Sequence, residues 1–263
     1  MPAIYAHERF GKMVYQQMDS KMKQAIRANK ELFEIGLQGP DFLFFYKFYE
    51  RNRVNQVGYD LHEEPVREFL THSLRIVKER GKYSPEAVYI YGFICHFVLD
   101  SECHWYVEQQ VKKTGVGHLE IESELEKVLM KKDKHFLLSY PVWKIIPTSR
   151  KVAKCMAQFY PEITVDELQK ALIDMRFCKY ILANPTPGKR KVVDLLMRMT
   201  GQYHELKGHM LRVKTNPRCV ETVKELLNLY DAACKLAPYL IQEYQETVFE
   251  KKPWNPRFNR NLK

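Results

Sequence analysis

The amino-acid sequence predicts an all-α protein, and three observations lead to this prediction. Stretches in which apolar and polar residues alternate, the pattern typical of half-buried strands, are scarce. Apolar residues instead recur at helical spacing, as in residues 66–77. Residues that begin or end helices also recur along the whole chain. Because the composition shows no abrupt change, we expect a single domain over residues 1–263.

Two helical segments are predicted in the first part of the chain. Residues 8–34 are rich in helix formers, and Gly36 ends this first segment. Pro65 occupies the first turn of the second segment, where its missing N–H is tolerated, and Gly81 ends it. The apolar residues of the second segment share one face and are Val66, Phe69, Leu70, Leu74 and Val77.

The longest helix of this region is predicted from Ser84 to about Lys113. Ser84 is a favourable N-cap residue, and Pro85 follows at the first helical position. A shorter helix is predicted at residues 118–131. The connection between the two is short, so we expect them to be neighbours in space.

Two more helices are predicted in the second half of the chain. Thr164 and Glu167 form a capping box, in which each side chain bonds the backbone N–H of the other, before a helix that reaches about Ala183. The last long helix is predicted at residues 220–249.

The charge of the chain indicates an attraction to anions. The formal net charge is +10, and lysine and arginine are spread along the sequence without a basic block. Such a field attracts phosphate esters, nucleic acid or a membrane surface, although a solvated basic surface with no specific partner has the same composition.

The apolar stretches and the cysteines bear on location. The longest nearly apolar run, AVYIYGFICHFVL, is shorter than the roughly 20 residues that a transmembrane helix needs, so none is predicted. The start of the sequence shows no secretory signal, which would consist of a basic stretch, an apolar core and a cleavage site. We therefore predict a cytoplasmic protein. The 6 cysteines form no C-x-x-C pair and are predicted to be reduced and mostly buried.

The segment GFICHFVLDSECHWYVEQ, at residues 92–109, combines an apolar helix with polar groups. His96, Asp100 and His104 are spaced four residues apart, which places all three side chains on one stripe of the helix. His118 and Glu122 repeat this spacing in the next predicted helix. Imidazole and carboxylate groups lose free energy in an apolar interior unless a partner satisfies them.

A bound metal ion is the interpretation that satisfies all of these groups together. A single histidine on an apolar face is more often an ordinary core residue than a ligand, but convergent ligand types on adjacent helices favour a cation. Ligation turns the cost of burying these groups into folding free energy. The sequence therefore predicts a metal centre between helices.

The whole set of candidate ligands resembles a known family. In chain order the set is His7, Asp41, His62, His96, Asp100, His104, His118 and Glu122. This order, with its His-x3-Asp and His-x3-Glu spacings, resembles the zinc-dependent phospholipase C family, which includes secreted bacterial phosphatidylcholine phospholipases C and is related to single-strand-specific zinc nucleases. The resemblance extends to about residue 130. It implies an all-helical domain with two to three zinc ions.

The resemblance also implies how the ligands are shared. One zinc ion would be held by Asp41, His62, His96 and Asp100, a second by His104, His118 and Glu122, and a third by His7 with Asp100 as a bridge. Asp41 resembles the proposed general base of the family. Where secreted members have five residues between the aspartate and the next histidine, this chain has only SEC, and the shorter gap suits one unbroken helix.

The predicted function is that of a metal-dependent phosphodiester hydrolase of the phospholipase C type, acting on a phospholipid headgroup or a related phosphate ester through metal-activated water. Peripheral contact with a membrane is part of this hypothesis. Tyr46, within the aromatic stretch FLFFYKFYE, and Trp105 are the predicted substrate contacts. Two alternatives stay open: a phosphodiesterase of the single-strand nuclease type, and a non-catalytic helical metal-binding protein with a basic interaction surface.

Overall fold

The computed structural model describes residues 4–137, 140–182, 188–189, 191–192, 195 and 214–263. This described part consists of α-helices and short 3₁₀ turns without a β-strand, so the all-α prediction is confirmed. The prediction of one domain over residues 1–263 stays a prediction. The α-helices whose two ends lie in the described ranges are α1 (Ile4–Gln17), α2 (Ser20–Ala28), α3 (Lys30–Gly36), α4 (Arg53–Glu63), α5 (Val66–Arg80), α6 (Pro85–Thr114), α7 (His118–Lys132), α8 (Arg150–Met156), α9 (Val165–Leu182) and α10 (Val220–Glu250).

The first predicted segment is divided into three helices rather than one. The breaks fall at Asp19 and Asn29, residues that favour helix ends because their side chains bond the backbone. The Asp19 carboxylate accepts the N–H of Met22 and begins α2, while Asn29 lies between α2 and α3. Gly36 ends α3, as predicted.

Two helices were missed in the sequence, and each begins at a polar cap. The Asn52 side chain accepts the N–H of Asn55 at the start of α4, and Ser149 accepts the N–H of Val152 at the start of α8. Both helices are short, 11 and 7 residues, so their apolar periodicity spans too few turns to be distinctive.

The predicted caps of the longer helices are confirmed. The Ser84 side chain accepts the N–H of Ala87 at the start of α6. The helix ends at Thr114, one residue beyond the predicted Lys113, where Gly115 adopts the left-handed conformation. Thr164 and Glu167 bond each other's backbone N–H, which is the predicted capping box before α9. The predicted last residue of α9, position 183, lies outside the described residues.

Helix α6 lies at the centre of the fold. Its residues from Ala87 to Ser101 are all buried, and it packs mainly against α3 and α10. The contact with α3 is close enough that a Cβ on Gly36 would lie 2.4 Å from the carbonyl oxygen of Tyr89. This close approach brings the turn after α3 directly over the polar stripe of α6.

Between Ala87 and Ser101, helix α6 is mostly apolar apart from that stripe, yet it does not meet the requirements of a membrane span. Among the described residues, no helix combines the length and hydropathy that crossing a bilayer needs. The apolar surface of α6 is instead covered by other helices of the chain.

Candidate metal centre

The polar stripe of α6 is intact and buried. His96, Asp100 and His104 lie on one continuous helix, and each side chain is almost completely excluded from solvent. The short SEC gap between Asp100 and His104 therefore does fit an unbroken helix. Three polar side chains on one buried stripe require partners from neighbouring elements.

Those partners come from four other elements. His7 lies in α1, Asp41 begins the 3₁₀ turn Asp41–Phe45 that follows α3, and His62 lies in the last turn of α4. The two ligand types of α7, His118 and Glu122, face the same stripe. All eight residues proposed from the sequence thus meet in one connected cluster of side chains.

The larger part of this cluster is called the inner cluster and consists of His7, Asp41, His62, His96 and Asp100. Asp41 Oδ1 lies 3.0 Å from His62 Nε2 and 3.9 Å from His96 Nε2. Asp100 lies 3.2 Å from both His96 Nε2 and His7 Nε2, through different carboxylate oxygens. His96 therefore faces two carboxylates at once.

The remaining three residues, His104, His118 and Glu122, form the outer cluster. Glu122 Oε1 lies 3.2 Å from His104 Nε2 and 3.0 Å from His118 Nε2. The two clusters are joined by Asp100, whose Oδ1 lies 3.6 Å from His104 Nε2. Asp100 is thus the one carboxylate that the distances place between the clusters.

A glycine makes the approach to His96 possible. Gly39 adopts a left-handed backbone with φ +51°, and a Cβ at this position would lie 2.1 Å from Cδ2 of His96. The turn that carries Asp41 therefore lies against the imidazole ring with no room for a side chain between them. Any larger residue at Gly39 would displace His96 or the Asp41 turn.

The residues fit divalent cations in two independent ways. Three sets have ligand atoms within 4.8 Å of one another: His7, His96 and Asp100; Asp41, His62 and His96; and His104, His118 and Glu122. Of the buried side-chain polar atoms that lack a hydrogen-bond partner in the described part, all but Gln38 Nε2 belong to these residues. Imidazole nitrogens and carboxylate oxygens with no protein partner are the donor set that zinc prefers.

Three of the histidines are oriented by an acceptor on the far side of the ring. Each donates its Nδ1 proton and thereby keeps Nε2 turned towards the cluster. The acceptors are Gly58 O for His62 at 2.7 Å, Leu262 O for His104 at 2.7 Å, and Glu108 Oε1 for His118 at 2.6 Å.

The protonation states of the inner cluster suit metal binding at neutral pH. Burial lowers the pKa of His96 to about 4, because Asp100 and Asp41 only partly offset the lost hydration. Burial acts to raise the pKa of Asp41 and Asp100, yet the positive groups and imidazoles around them lower both pKa values. A neutral His96 and ionised carboxylates are the forms that ligate metals.

The outer cluster differs in this respect. Burial acts to lower the pKa of His104, but Asp100 and Glu122 outweigh it and raise this pKa to about 9. The pKa of His118 is also raised, since Glu122 and Glu108 outweigh partial burial. His104 is therefore the imidazolium at neutral pH in the metal-free protein.

Two further buried ionisable residues near the centre were missed in the sequence. Glu126 follows Glu122 by one helical turn and accepts the N–H of Tyr5, at 2.6 Å, at the start of α1. Burial raises the pKa of Glu126 to about 7. Lys179 of α9 is also buried, and burial lowers its pKa. Glu126 could have been identified from the sequence, because it lies four residues after Glu122 and so on the same face of the helix. The sequence around Lys179 has no comparable spacing to a candidate ligand.

The two predicted substrate contacts occupy different surroundings. Tyr46 ends the 3₁₀ turn that Asp41 begins, is half-buried, and accepts a hydrogen bond from the Asn55 side chain on its carbonyl oxygen. Trp105 is 49% exposed, donates its indole N–H to Glu102 O, and lines a surface groove of about 660 Å³ together with the end of the chain. Their role as substrate contacts stays a prediction.

The cysteines beside the stripe take no part in the cluster. Cys95 and Cys103 are buried free thiols, and neither belongs to a metal-ligand set among the described residues. Burial raises the pKa of both thiols far above the ordinary value, which keeps them protonated.

The fold and the cluster together define an all-helical protein with a buried His, Asp and Glu centre that offers ligands for more than one divalent cation. Within this class, the chain belongs to the zinc-dependent phospholipase C family: the model of the family described as zinc dependent phospholipase C matches residues 6–180, more than half of the chain. Comparison with curated proteins and with solved structures gives no match. The match includes all eight cluster residues and extends beyond the resemblance seen in the sequence.

Proposed function

We propose that this protein is a zinc-dependent hydrolase of phosphodiesters that cleaves the headgroup bond of a phospholipid in the manner of a phospholipase C. The observation that carries the proposal is the meeting of eight ligand-type side chains in one buried cluster, in a chain of the zinc-dependent phospholipase C family. A purely structural zinc site is closed by four protein ligands, whereas this cluster extends over several sets that share residues.

The proposed ligands follow the three sets of the structure. Asp41, His62 and His96 would hold one zinc ion, and His104, His118 and Glu122 a second. His7 and Asp100 would hold a third, with His96 within reach of both inner ions. Bound zinc supplies Lewis-acid polarisation of a phosphoryl oxygen and lowers the pKa of water towards about 7.

The side chains themselves provide binding and proton transfer. The three carboxylates, Asp41, Asp100 and Glu122, balance only part of the charge of two or three divalent ions, so the centre keeps a positive charge that attracts a phosphate ester. Asp41 is the proposed proton acceptor. Its lowered pKa keeps it ionised at neutral pH, which proton acceptance requires.

Exposed aromatic side chains near the centre support a lipid substrate. The Phe44 ring lies 5.0 Å from His62 and 4.8 Å from Tyr59, which is itself exposed. Beyond the 3₁₀ turn of Asp41, Phe48 and Tyr49 are also exposed, Tyr49 at 71%. Apolar side chains that lead from a ligand histidine to the surface suit peripheral contact with a lipid layer.

Single-stranded nucleic acid is the second candidate substrate, because the net charge of +10 and exposed aromatic rings also suit a polyanion with stacked bases. The cytoplasmic location expected from the sequence stays a prediction.

Parallel assays of one zinc-loaded preparation test the proposal. The substrates are phosphatidylcholine vesicles, denatured DNA and a soluble phosphodiester, and the chain is first analysed for metal by plasma mass spectrometry. We expect at least two zinc ions per chain and release of a phosphorylated headgroup from the vesicles. Turnover of DNA alone would favour the nuclease reading, and metal without any turnover would support a non-catalytic metal protein.

A further inference from the structure

Residues 251–263 contact the metal centre at His104. Helix α10 ends at Glu250, and residues 251–263, here called the C-terminal strap, continue through the 3₁₀ turn Pro256–Asn259. The strap lies outside residues 6–180, the part that matches the family. Its contacts with the centre are therefore a feature of this chain that the family match does not cover.

The strap is anchored in the core by two side chains. Phe258 and Leu262 are both completely buried. The Phe258 ring packs on Phe97 of α6, with ring centroids 5.9 Å apart, and on Trp254 of the strap at 5.6 Å. Burial of two large apolar side chains favours one fixed position of the strap on the helices.

Polar contacts tie the strap to both helices that flank the centre. On α6, Glu102 accepts from Arg257 and Arg260, and this residue lies two positions before His104. On α4, Glu63 follows His62 directly and pairs with Lys263. The strap thus joins α4, next to the inner ligand His62, to α6, next to the outer ligand His104.

One backbone group of the strap reaches a proposed ligand itself. The Leu262 carbonyl oxygen accepts the Nδ1 proton of His104 at 2.7 Å, and both residues are buried. In the neutral imidazole that ligates a metal, this contact places the remaining proton on Nδ1. It leaves Nε2, which lies 3.2 Å from Glu122, facing the outer cluster.

We propose that the Leu262 carbonyl is a positioning group of the metal centre: it holds the ring and tautomer of His104 so that the outer cluster can take up zinc. The inference rests on the proposed function only in that the cluster binds zinc. Without the acceptor, the buried Nδ1 proton would lack a partner and the ring could rotate or change tautomer. Loss of such an outer hydrogen bond weakens metal binding by roughly 10- to 100-fold.

The first test is deletion of Leu262 and Lys263 from the otherwise full chain. We expect zinc at the outer cluster to bind roughly 10- to 100-fold more weakly in competition with a chelator, while the inner cluster keeps its metal. Native zinc content and affinity in this variant would overturn the proposal.

Two control variants separate positioning from packing. Lys263→Ala removes the ion pair with Glu63 but keeps the Leu262 oxygen as an amide carbonyl, so zinc affinity should stay native. Phe258→Leu trims the packing but keeps a buried apolar anchor in the strap and leaves the carbonyl in place, so the melting temperature should fall while zinc content stays native. If either control loses zinc as strongly as the double deletion does, the positioning role is wrong.

A measurement on the unaltered zinc-loaded protein stands even if the double deletion fails to fold. Long-range ¹⁵N–¹H NMR correlation distinguishes the two imidazole tautomers, and we expect His104 to be protonated at Nδ1. A proton on Nε2 would overturn the proposal. Because none of these readouts uses turnover, absence of phosphodiesterase activity would contradict the proposed function and leave this inference in place.

Discussion

The inner and outer clusters are built from the same types of side chain but are held in different ways. All five residues of the inner cluster are buried, and three elements besides α6 supply them. In the outer cluster the His118 side chain is 27% exposed, and its Nδ1 proton is accepted by the exposed Glu108. The inner cluster is therefore shaped mainly by packing, and the outer cluster by hydrogen bonds from its periphery.

This difference indicates a division of roles within one centre. Packing around His96, with Gly39 against its ring, leaves the inner ligands little freedom and keeps His96 neutral. The histidines of the outer cluster depend on Glu108 and on the Leu262 carbonyl for their orientation. We expect the inner zinc ions to be the more tightly bound, and the outer ion to leave first under chelation.

The largest effect is expected from Asp100→Asn, which changes the one carboxylate shared by the clusters. Asp100 lies within 3.2 Å of His7 and His96 and 3.6 Å of His104, so a neutral amide weakens ligation on both sides. We expect loss of more than one zinc ion per chain and a fall in turnover of at least about 100-fold, above the range for an outer partner. Metal analysis and the vesicle assay measure both.

Ser101→Ala is the matched control, because Ser101 is buried next to Asp100 and, among the described residues, its hydroxyl bonds only the Val98 carbonyl of its own helix. This variant should keep full zinc content and turnover. An Asp100→Asn protein that loses only the outer zinc would show that the inner cluster does not use this carboxylate.

The second prediction tests the outer cluster alone. Glu108→Gln replaces the charged acceptor of His118 Nδ1 by a neutral amide of the same shape. We expect zinc at the outer cluster to bind roughly 10- to 100-fold more weakly and the inner zinc ions to be unaffected, as measured by chelator competition. Equal weakening at both clusters would contradict the proposed independence of their outer hydrogen bonds.

How far each cluster could be predicted from the sequence follows from the same difference. Helical spacing reveals the stripe of α6, because i, i+4 neighbours share a face whatever surrounds the helix. Of the two acceptors of the outer cluster, Glu108 continues the four-residue spacing after His104, whereas Leu262 has no such signal. Glu108 meets His118 only through the turn between α6 and α7, and the Leu262 contact is a backbone carbonyl 158 residues from His104, invisible in side-chain chemistry.

The fold shows the same limit on a smaller scale. Ser84, Gly81 and the Thr164 box carry local signals that the structure confirms. The breaks at Asp19 and Asn29 were not predicted, because residues 8–34 favour helix throughout. Whether these two residues interrupt the helix depends on the tertiary packing of the segments on either side.

The third prediction concerns pH. In the metal-free protein the pKa of His104 is about 9, so this histidine is protonated at pH 7, whereas His96, with a pKa of about 4, is neutral. Because zinc binds neutral imidazole, binding at the outer cluster must release a proton. Affinity there should rise up to about tenfold per pH unit between about pH 6 and pH 8, with little change from His96 at the inner cluster.

Calorimetric titration of zinc in buffers of different ionisation enthalpy counts the protons released at each step. We expect the weaker site to release at least one proton at neutral pH and His96 to contribute none. If the tighter site releases more protons than the weaker one, the assignment of the two affinities to the two clusters is reversed.

The smallest effect is expected from the cysteines, which place one thiol beside each cluster. Cys95 precedes His96 and Cys103 precedes His104, but both point away from the stripe and stay protonated because burial raises the pKa of each thiol. Cys95→Ala and Cys103→Ala should each lower stability by about 1 kcal/mol, the order for removing one buried methyl-sized group. Zinc content should stay native in both. A thiolate ligand binds zinc strongly, so loss of zinc in one variant alone would assign a sulfur ligand to the cluster beside that cysteine. The two clusters would then differ in their ligand types as well as in the hydrogen bonds and packing that hold them.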